Sequence, residues 1–296
     1  MKELHVSQIT DYQTCPRMYK YRYVDWLVPM QPPTKLAIGT IAHAGVAAFN
    51  RGEDPFGAVD AALTQEIARI REVAAAVGAP VDTSELEKQA ELVPELVQAY
   101  MDYHAANNDG IKMTHVEQPF AVPVVRKWGA RWRRSGISYV GTFDGIAEDR
   151  HGRLWVWENK FLAQFPSEIT LRLDLQCGYY LMAARMLFPN REVTGIVYDV
   201  VRKVNPVKAR TPVVARYMVT RNDVEVQHLM ERLPFICNQI DTDKLYMPQP
   251  GLHCSWKCRY TDLCVAEEDG SGVDALKAAL YVRREPPRVL TEEEAV

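Results

Sequence analysis

No run of about 18 or more apolar residues occurs, so no helix is expected to span a membrane. The opening, Met1-Lys2-Glu3-Leu4-His5, leads into polar residues without an apolar segment, so no secretory signal is expected. Basic charge is not in excess: the formal net charge is -3. Global charge therefore does not announce a nucleic-acid partner, and such a site would have to be a local basic patch. Internal repeats and low-complexity linkers are absent. Cysteine is sparse, six residues in 296. In the cytoplasmic setting expected here, those thiols suit metal ligation or burial better than a disulfide framework. What remains is ordinary globular material, 47% hydrophobic and 25% charged, enough for a sizeable core.

Hydrophobic periodicity divides the chain into a helical front, a strand-rich middle and a cysteine-rich end. Val6 to Tyr23 reads as two short helices, with Ser7 a plausible N-cap and Pro16 opening the second. Gln31-Pro32-Pro33 reads as a loop. Thr40 is placed to cap a helix running through His43 to about Asn50. Asp82 to Ala106 has helical spacing with a kink expected at Pro94. Val116–Val125, Ser138–Glu148 and Leu154–Phe161 read as strands, the last two joined by a turn at Asp149-Arg150-His151-Gly152. Leu171–Leu187 reads as one helix, Val193–Arg202 and Ala215–Thr220 as strands, and Asn222–Ile240 as a helix that Pro234 bends. The expected fold class is α/β, a mixed central sheet flanked by helices, with an N-terminal helical region and a C-terminal cysteine-rich closure. One domain is expected over residues 1–265: mainly helical over 1–110, the sheet core over 111–220, and helix plus closure over 221–265. A polar tail with one helix near Val273–Val282, ending in Glu292-Glu293-Glu294, would follow over 266–296.

The chemistry concentrates in the strand pair. Asp144 lies in Gly141-Thr142-Phe143-Asp144-Gly145, and Glu158-Asn159-Lys160 follows Leu154-Trp155-Val156-Trp157. Side chains alternate along a strand, so Glu158 and Lys160 share a face, and a hairpin brings Asp144 beside them. Two carboxylates could hold Mg²⁺ or Mn²⁺, and an amine could orient water or steady a phosphorane. Alone, an E-x-K triplet is usually a surface ion pair. Here it ends an apolar-aromatic run, where a paired charge needs a reason.

These residues resemble the signature of PD-(D/E)XK nucleases. His43, in Gly39-Thr40-Ile41-Ala42-His43, and the i, i+4 pair Gln176 and Tyr180 extend the resemblance to the RecB-like exonuclease branch, including its CRISPR-associated members. The resemblance implies a restriction-endonuclease-like core. It implies that His43, Asp144, Glu158 and the Asn159 carbonyl bind metal, that Lys160 assists the attacking water, and that Gln176 and Tyr180 position the substrate strand. Glu117 resembles a further acidic residue on the preceding strand. Read singly, His43 and Tyr180 also suit a helix core, Gln176 a surface, and Glu117 a structural role.

Cys254, Cys258 and Cys264 form C-x₃-C-x₅-C, and Cys15 stands alone in Thr14-Cys15-Pro16. Four thiolates suit either an iron–sulfur cluster or structural zinc, and spacing alone does not choose. The C-x₃-C-x₂-C spacing of radical-SAM enzymes is absent. The layout resembles the RecB-like nucleases with one cysteine before the core and three after it, which implies a structural [4Fe–4S] cluster on Cys15, Cys254, Cys258 and Cys264. It departs from them in having C-x₃-C where they have C-x₂-C. His253 stands beside the trio as an alternative ligand, while Cys177 and Cys237 read as helix core. Arg126-Lys127-Trp128-Gly129-Ala130-Arg131-Trp132-Arg133-Arg134 reads as a loop or turn, either a nucleic-acid track or a solvated hairpin. Arg17–Tyr23 and Lys203, Lys208 and Arg210 are lesser candidates.

The expectation is thus a Mg²⁺- or Mn²⁺-dependent deoxyribonuclease, an exonuclease on single-stranded or end-containing DNA. It would serve recombination, repair, replication or CRISPR adaptation, alone, as a homo-oligomer or within a DNA-processing complex. The alternatives are a catalytically silent DNA-binding or assembly protein of the same fold, and a zinc-stapled structural protein.

Overall fold

In the computed structural model, residues 2–30, 34–75, 81–107, 109–129 and 131–284 are described. The Gln31-Pro32-Pro33 loop and the acidic Glu292–Glu294 end lie outside them. In chain order the elements are β1 (Lys2–His5), α1 (Val6–Thr14), α2 (Pro16–Tyr19), a π-helical turn (Lys20–Val24), β2 (Leu27–Pro29), α3 (Thr34–Arg51), α4 (Pro55–Ala75), α5 (Ser84–Ala90) and α6 (Val93–Ala106). There follow β3 (Lys112–Trp128), β4 (Arg131–Glu148), β5 (Leu154–Leu162), α7 (Glu168–Arg172), α8 (Leu175–Leu187), β6 (Val193–Arg202), β7 (Val214–Thr220) and α9 (Asp223–Thr242). The chain closes with α10 (His253–Trp256), α11 (Thr261–Asp269), α12 (Val273–Leu280) and β8 (Tyr281–Arg283). Among the described residues no helix is long and apolar enough to cross a membrane.

The chain forms two compact units. The first comprises residues 1–10, 33–69 and 82–241, the second residues 11–32, 70–81 and 242–296. The first unit holds a mixed sheet in the order β1-β4-β5-β6-β7, with β3 paired to the other edge of β4. β5 is its centre. It pairs antiparallel with β4 and parallel with β6, and its sequence, Leu-Trp-Val-Trp-Glu-Asn-Lys-Phe-Leu, is buried almost throughout, as a strand covered on both faces should be. Helices flank both faces. Trp157 and Phe161 meet His104 of α6 and His43 of α3, whereas Lys160 on the other face meets Asp174 at the start of α8. This is the expected α/β architecture.

Several local expectations are corrected. α1 begins at Val6, directly after a strand, so Ser7 lies inside the helix, and Gln8 Oε1 takes the His5 N–H. α3 begins at Thr34, so Thr40 is internal. Pro94 does not kink one long helix: α5 ends at Ala90 and Pro94 stands in the first turn of α6, where proline costs no intrahelical bond. The helix expected over 171–187 is broken, because Asp174 takes extended backbone and caps α8. The stretch 126–134 is not a loop. It is the end of two long paired strands, with the turn at Gly129 (φ 61°). The turn at 149–152 and the strand β6 stand as expected. α9 opens with reciprocal bonds between Asn222 and Glu225, a capping box.

The second unit brings the early segment 11–32 together with the segment that follows residue 241. β2 and β8 form a two-stranded antiparallel sheet. Tyr260 stacks on Tyr281 at 5.5 Å between ring centres and donates its hydroxyl to the Leu27 carbonyl. Residues 266–284, expected as a polar tail with one helix, hold that helix as α12, which buries no residue, and are anchored by the buried Tyr281 in β8.

Candidate active site

The site lies in the first unit where two strands part. β4 and β5 are paired only from Glu148↔Leu154 to Gly145↔Trp157. The next residue on each strand is Asp144 and Glu158, so both carboxylates stand in the fork. The Asn159 backbone N–H reaches across it to Asp144 Oδ2 at 2.8 Å. That bond fixes the carboxylate on main chain. His43 Nδ1 lies 3.5 Å from the same oxygen, its ring edge-on to Phe161 at 5.1 Å.

Lys160 shares its face with Glu158. Its Nζ lies 3.3 Å from Glu158 Oε1 and 3.0 Å from Asp174 Oδ2. Asp174 was not singled out in the sequence. It does two jobs, since Oδ1 also accepts the Cys177 N–H at 3.3 Å and caps α8. The available signal was positional: an aspartate immediately before a helical run is an N-cap. One turn along α8, Gln176 Nε2 donates to the Tyr180 hydroxyl at 3.3 Å, and the Tyr180 ring stands edge-on to Phe143, the neighbour of Asp144. Glu117 sits on β3 between the pairs Val116↔Gly145 and Gln118↔Phe143, level with Asp144. Its φ is +51°, a left-handed backbone that a non-glycine residue adopts only under constraint.

The electrostatics are those of crowded negative charge. Burial pushes the Asp144 carboxyl up to about 6; the Asn159 bond opposes this and the Glu117 charge adds to it. Burial, helped by Asp144 and opposed by Lys160, pushes Glu158 up to about 7. Burial lowers His43, against the pull of Glu158 and Glu117. Glu158 Oε2 and Asn159 Oδ1 are buried without a hydrogen-bond partner. Unsatisfied oxygens beside raised carboxyls fit a missing cation. His43, Asp144, Glu158 and Asn159, the ligands that the resemblance implies, are thus brought to one place. Among the described residues no three His, Cys, Asp or Glu side chains converge tightly enough for one ion. That holds for the cysteines as it does for the fork.

The second unit holds the cysteine group. Cys15, Cys254, Cys258 and Cys264 are free thiols that line one cavity of about 430 Å³. The Gln249 N–H donates to Cys15 Sγ at 3.4 Å. Burial raises Cys258, and Cys15 and Cys254 add to this; burial also raises Cys264, while nearby Arg17 opposes it. His253 lines the cavity too, with its Nε2 buried and unpartnered. Cys177 and Cys237 are fully buried in helices and lie outside the group.

A second charged cluster in the first unit escaped the sequence reading. Asp199, fully buried on β6, accepts Arg216 Nε at 2.7 Å and lies 2.8 Å from His104 Nε2. Arg216 stacks 4.5 Å over Trp157 and pairs with Asp109. Asp199 is opposite Asn159 in register, so its side chain is on the far face from Glu158 and Lys160. It fastens α6 to the sheet.

The profile of the PD-(D/E)XK nuclease superfamily matches residues 3–265. The chain belongs to that superfamily, a class of phosphodiester-hydrolysing nucleases. No curated protein matches it in sequence. Two crystal structures resemble it loosely. SSO0001 is 14% identical, with 90% of this chain and 86% of that chain covered and a TM-score of 0.40. A candidate exonuclease from Eubacterium rectale is 13% identical, with 88% of each chain covered and a TM-score of 0.45.

Proposed function

We propose that the chain is a divalent-metal-dependent deoxyribonuclease of the RecB-like branch, an exonuclease on single-stranded or end-containing DNA. The carrying observation is the fork: Asp144 and Glu158 face each other beside Lys160, with a Glu158 oxygen left unpartnered. His43, Asp144, Glu158 and the Asn159 carbonyl would hold Mg²⁺ or Mn²⁺. Such an ion, when bound, neutralises the phosphate and acidifies a bound water.

The chain's own residues supply the rest. The Asn159 N–H keeps Asp144 aimed into the fork, so a cation need not order it. Asp174 draws the Lys160 amine from one side while Glu158 holds it from the other, which keeps a fixed positive charge where a phosphorane develops its own negative charge. Gln176 and Tyr180, bonded to each other on one helix face, offer an amide and a phenol to the substrate strand.

In the second unit, Cys15, Cys254, Cys258 and Cys264 would carry a structural [4Fe–4S] cluster. Four thiols around one cavity, with a backbone N–H on a sulfur, support this reading. Such a cluster would join positions far apart in sequence and is consistent with a reducing cytoplasm. A zinc site would leave the protein colourless, whereas a cluster makes it brown.

The test uses anaerobically purified protein, end-labelled DNA, and Mg²⁺ or Mn²⁺, beside Lys160→Ala. Metal-dependent cleavage that the variant loses supports the nuclease, and the order in which labelled ends disappear gives polarity. Absence of cleavage with both metals and an intact cluster favours a DNA-binding or assembly protein of the same fold.

A further inference from the structure

The β3–β4 ribbon outruns its sheet. β4 has β1 beside it at Ile137–Val140 and β5 beside it at Gly145–Glu148. Among the described residues, Arg131–Arg134 pair only with Val125–Trp128. A bare two-stranded ribbon is marginal in water, and its residues are usually chosen to blunt that weakness. Here the blunting charge is all of one sign. Arg126, Lys127, Arg131, Arg133 and Arg134 are all exposed, and no Asp or Glu occurs between Glu117 and Asp144. Arg126 lies directly across from Arg133 in register, a pairing that costs stability in isolation.

The two faces of the ribbon differ. On one, Lys127 lies 3.3 Å from Glu231 of α9 and 5.9 Å over the Trp132 ring, which fastens that side to the body of the unit. The other carries the Arg126–Arg133 pair. At this end of the ribbon a cleft of about 250 Å³ is lined by Arg126, Arg133, Arg134 and Ser135, three guanidiniums and a hydroxyl. Among the described residues its lining includes no carboxylate. That donor set takes phosphate oxygens.

We propose that the ribbon end is a phosphate clamp for the duplex flanking the end being cut, with Arg126, Arg133, Arg134 and Ser135 gripping the sugar–phosphate backbone. This rests on the nuclease reading for the identity of the substrate. The geometry adds a length. Arg133 precedes Asp144 by 11 residues on the same strand, which at about 3.4 Å per residue is at most about 37 Å, since β4 bulges between Arg134 and Ser138. With duplex rising about 3.4 Å per base pair, a substrate must offer up to about 11 base pairs to reach both the fork and the clamp.

The experiment measures binding of fluorescent duplexes of about 30 and about 8 base pairs to the full chain in EDTA over a salt series. R126A/R133A/R134A should bind the long duplex at least about tenfold more weakly, with its log–log salt slope reduced by about 2 to 3. The short duplex, which can reach the fork or the clamp but not both, should lose less than the long one. R126K/R133K/R134K keeps the charge and the fold, and should retain most of the salt slope. Equal losses on both lengths, or no loss on either, would overturn the clamp. Lys160→Ala separates the two readings: it should abolish cleavage yet leave the length dependence of binding intact. Cleavage that survives it sinks the assigned catalytic site and leaves the clamp to be judged on binding alone.

Discussion

Glu158→Gln should make the metal-free protein more stable, although it removes a residue assigned to catalysis. Burial and the Asp144 charge raise the Glu158 carboxyl from about 4.5 to about 7. A shift of about 2.5 units corresponds to roughly 3 kcal/mol between its two protonation states. A carboxyl with a raised folded-state pKa binds its proton more tightly when folded. Its favourable contribution is complete below about pH 4.5 and is lost as pH rises through about 7. Glutamine keeps the shape and never ionises, so most of the difference between the two proteins opens between pH 5 and pH 8. Lys160 loses one partner but keeps Asp174, and its opposing charge is already part of that shift, so the expected gain stays at roughly 3 kcal/mol. For a chain of this size that is about 5 °C in Tm. Thermal unfolding in EDTA at both pH values measures it, and a repeat with Mg²⁺ at pH 8 should raise the Tm of the unaltered protein only. A variant less stable at pH 8, or shifted equally at both pH values, would refute the view that Glu158 awaits a cation.

Asp174→Asn should keep the α8 cap but leaves Lys160 with Glu158 as its remaining carboxylate partner, at a cost of about 1–3 kcal/mol. It should slow cleavage between about 10- and 100-fold by releasing one side of Lys160, read as kcat at saturating DNA. Arg216→Ala leaves Asp199 buried with only His104 beside it, and should cost about 3–5 kcal/mol in denaturant unfolding. Cys258→Ala should abolish the visible absorption of a brown protein and lower its Tm, without changing the Lys160-dependent chemistry of whatever folded protein survives. A colourless unaltered protein containing stoichiometric zinc would overturn the cluster assignment.

The sequence determined this protein's chemistry wherever the relevant physics is local. Strand alternation put Glu158 and Lys160 on one face, helical spacing put Gln176 and Tyr180 on another, and the turn at Asp149–Gly152 brought Asp144 near. Those relations depend on φ/ψ periodicity, which a few residues specify. β6 and the α/β class were legible for the same reason. Other features depended on partners distant in the chain. Pro94 starts a helix, Asp174 breaks one, and Tyr281 belongs to a sheet, because packing outweighs the small preferences that single residues express. Nothing in the residues around Asp174 says that a lysine 14 positions earlier will meet it. Nothing near Asp199 announces Arg216 and His104. The fork itself is tertiary: only the point at which β4 leaves β5 for β1 decides which carboxylates are left unpaired. Burial sets the protonation of those groups, and burial is a property of the assembled fold.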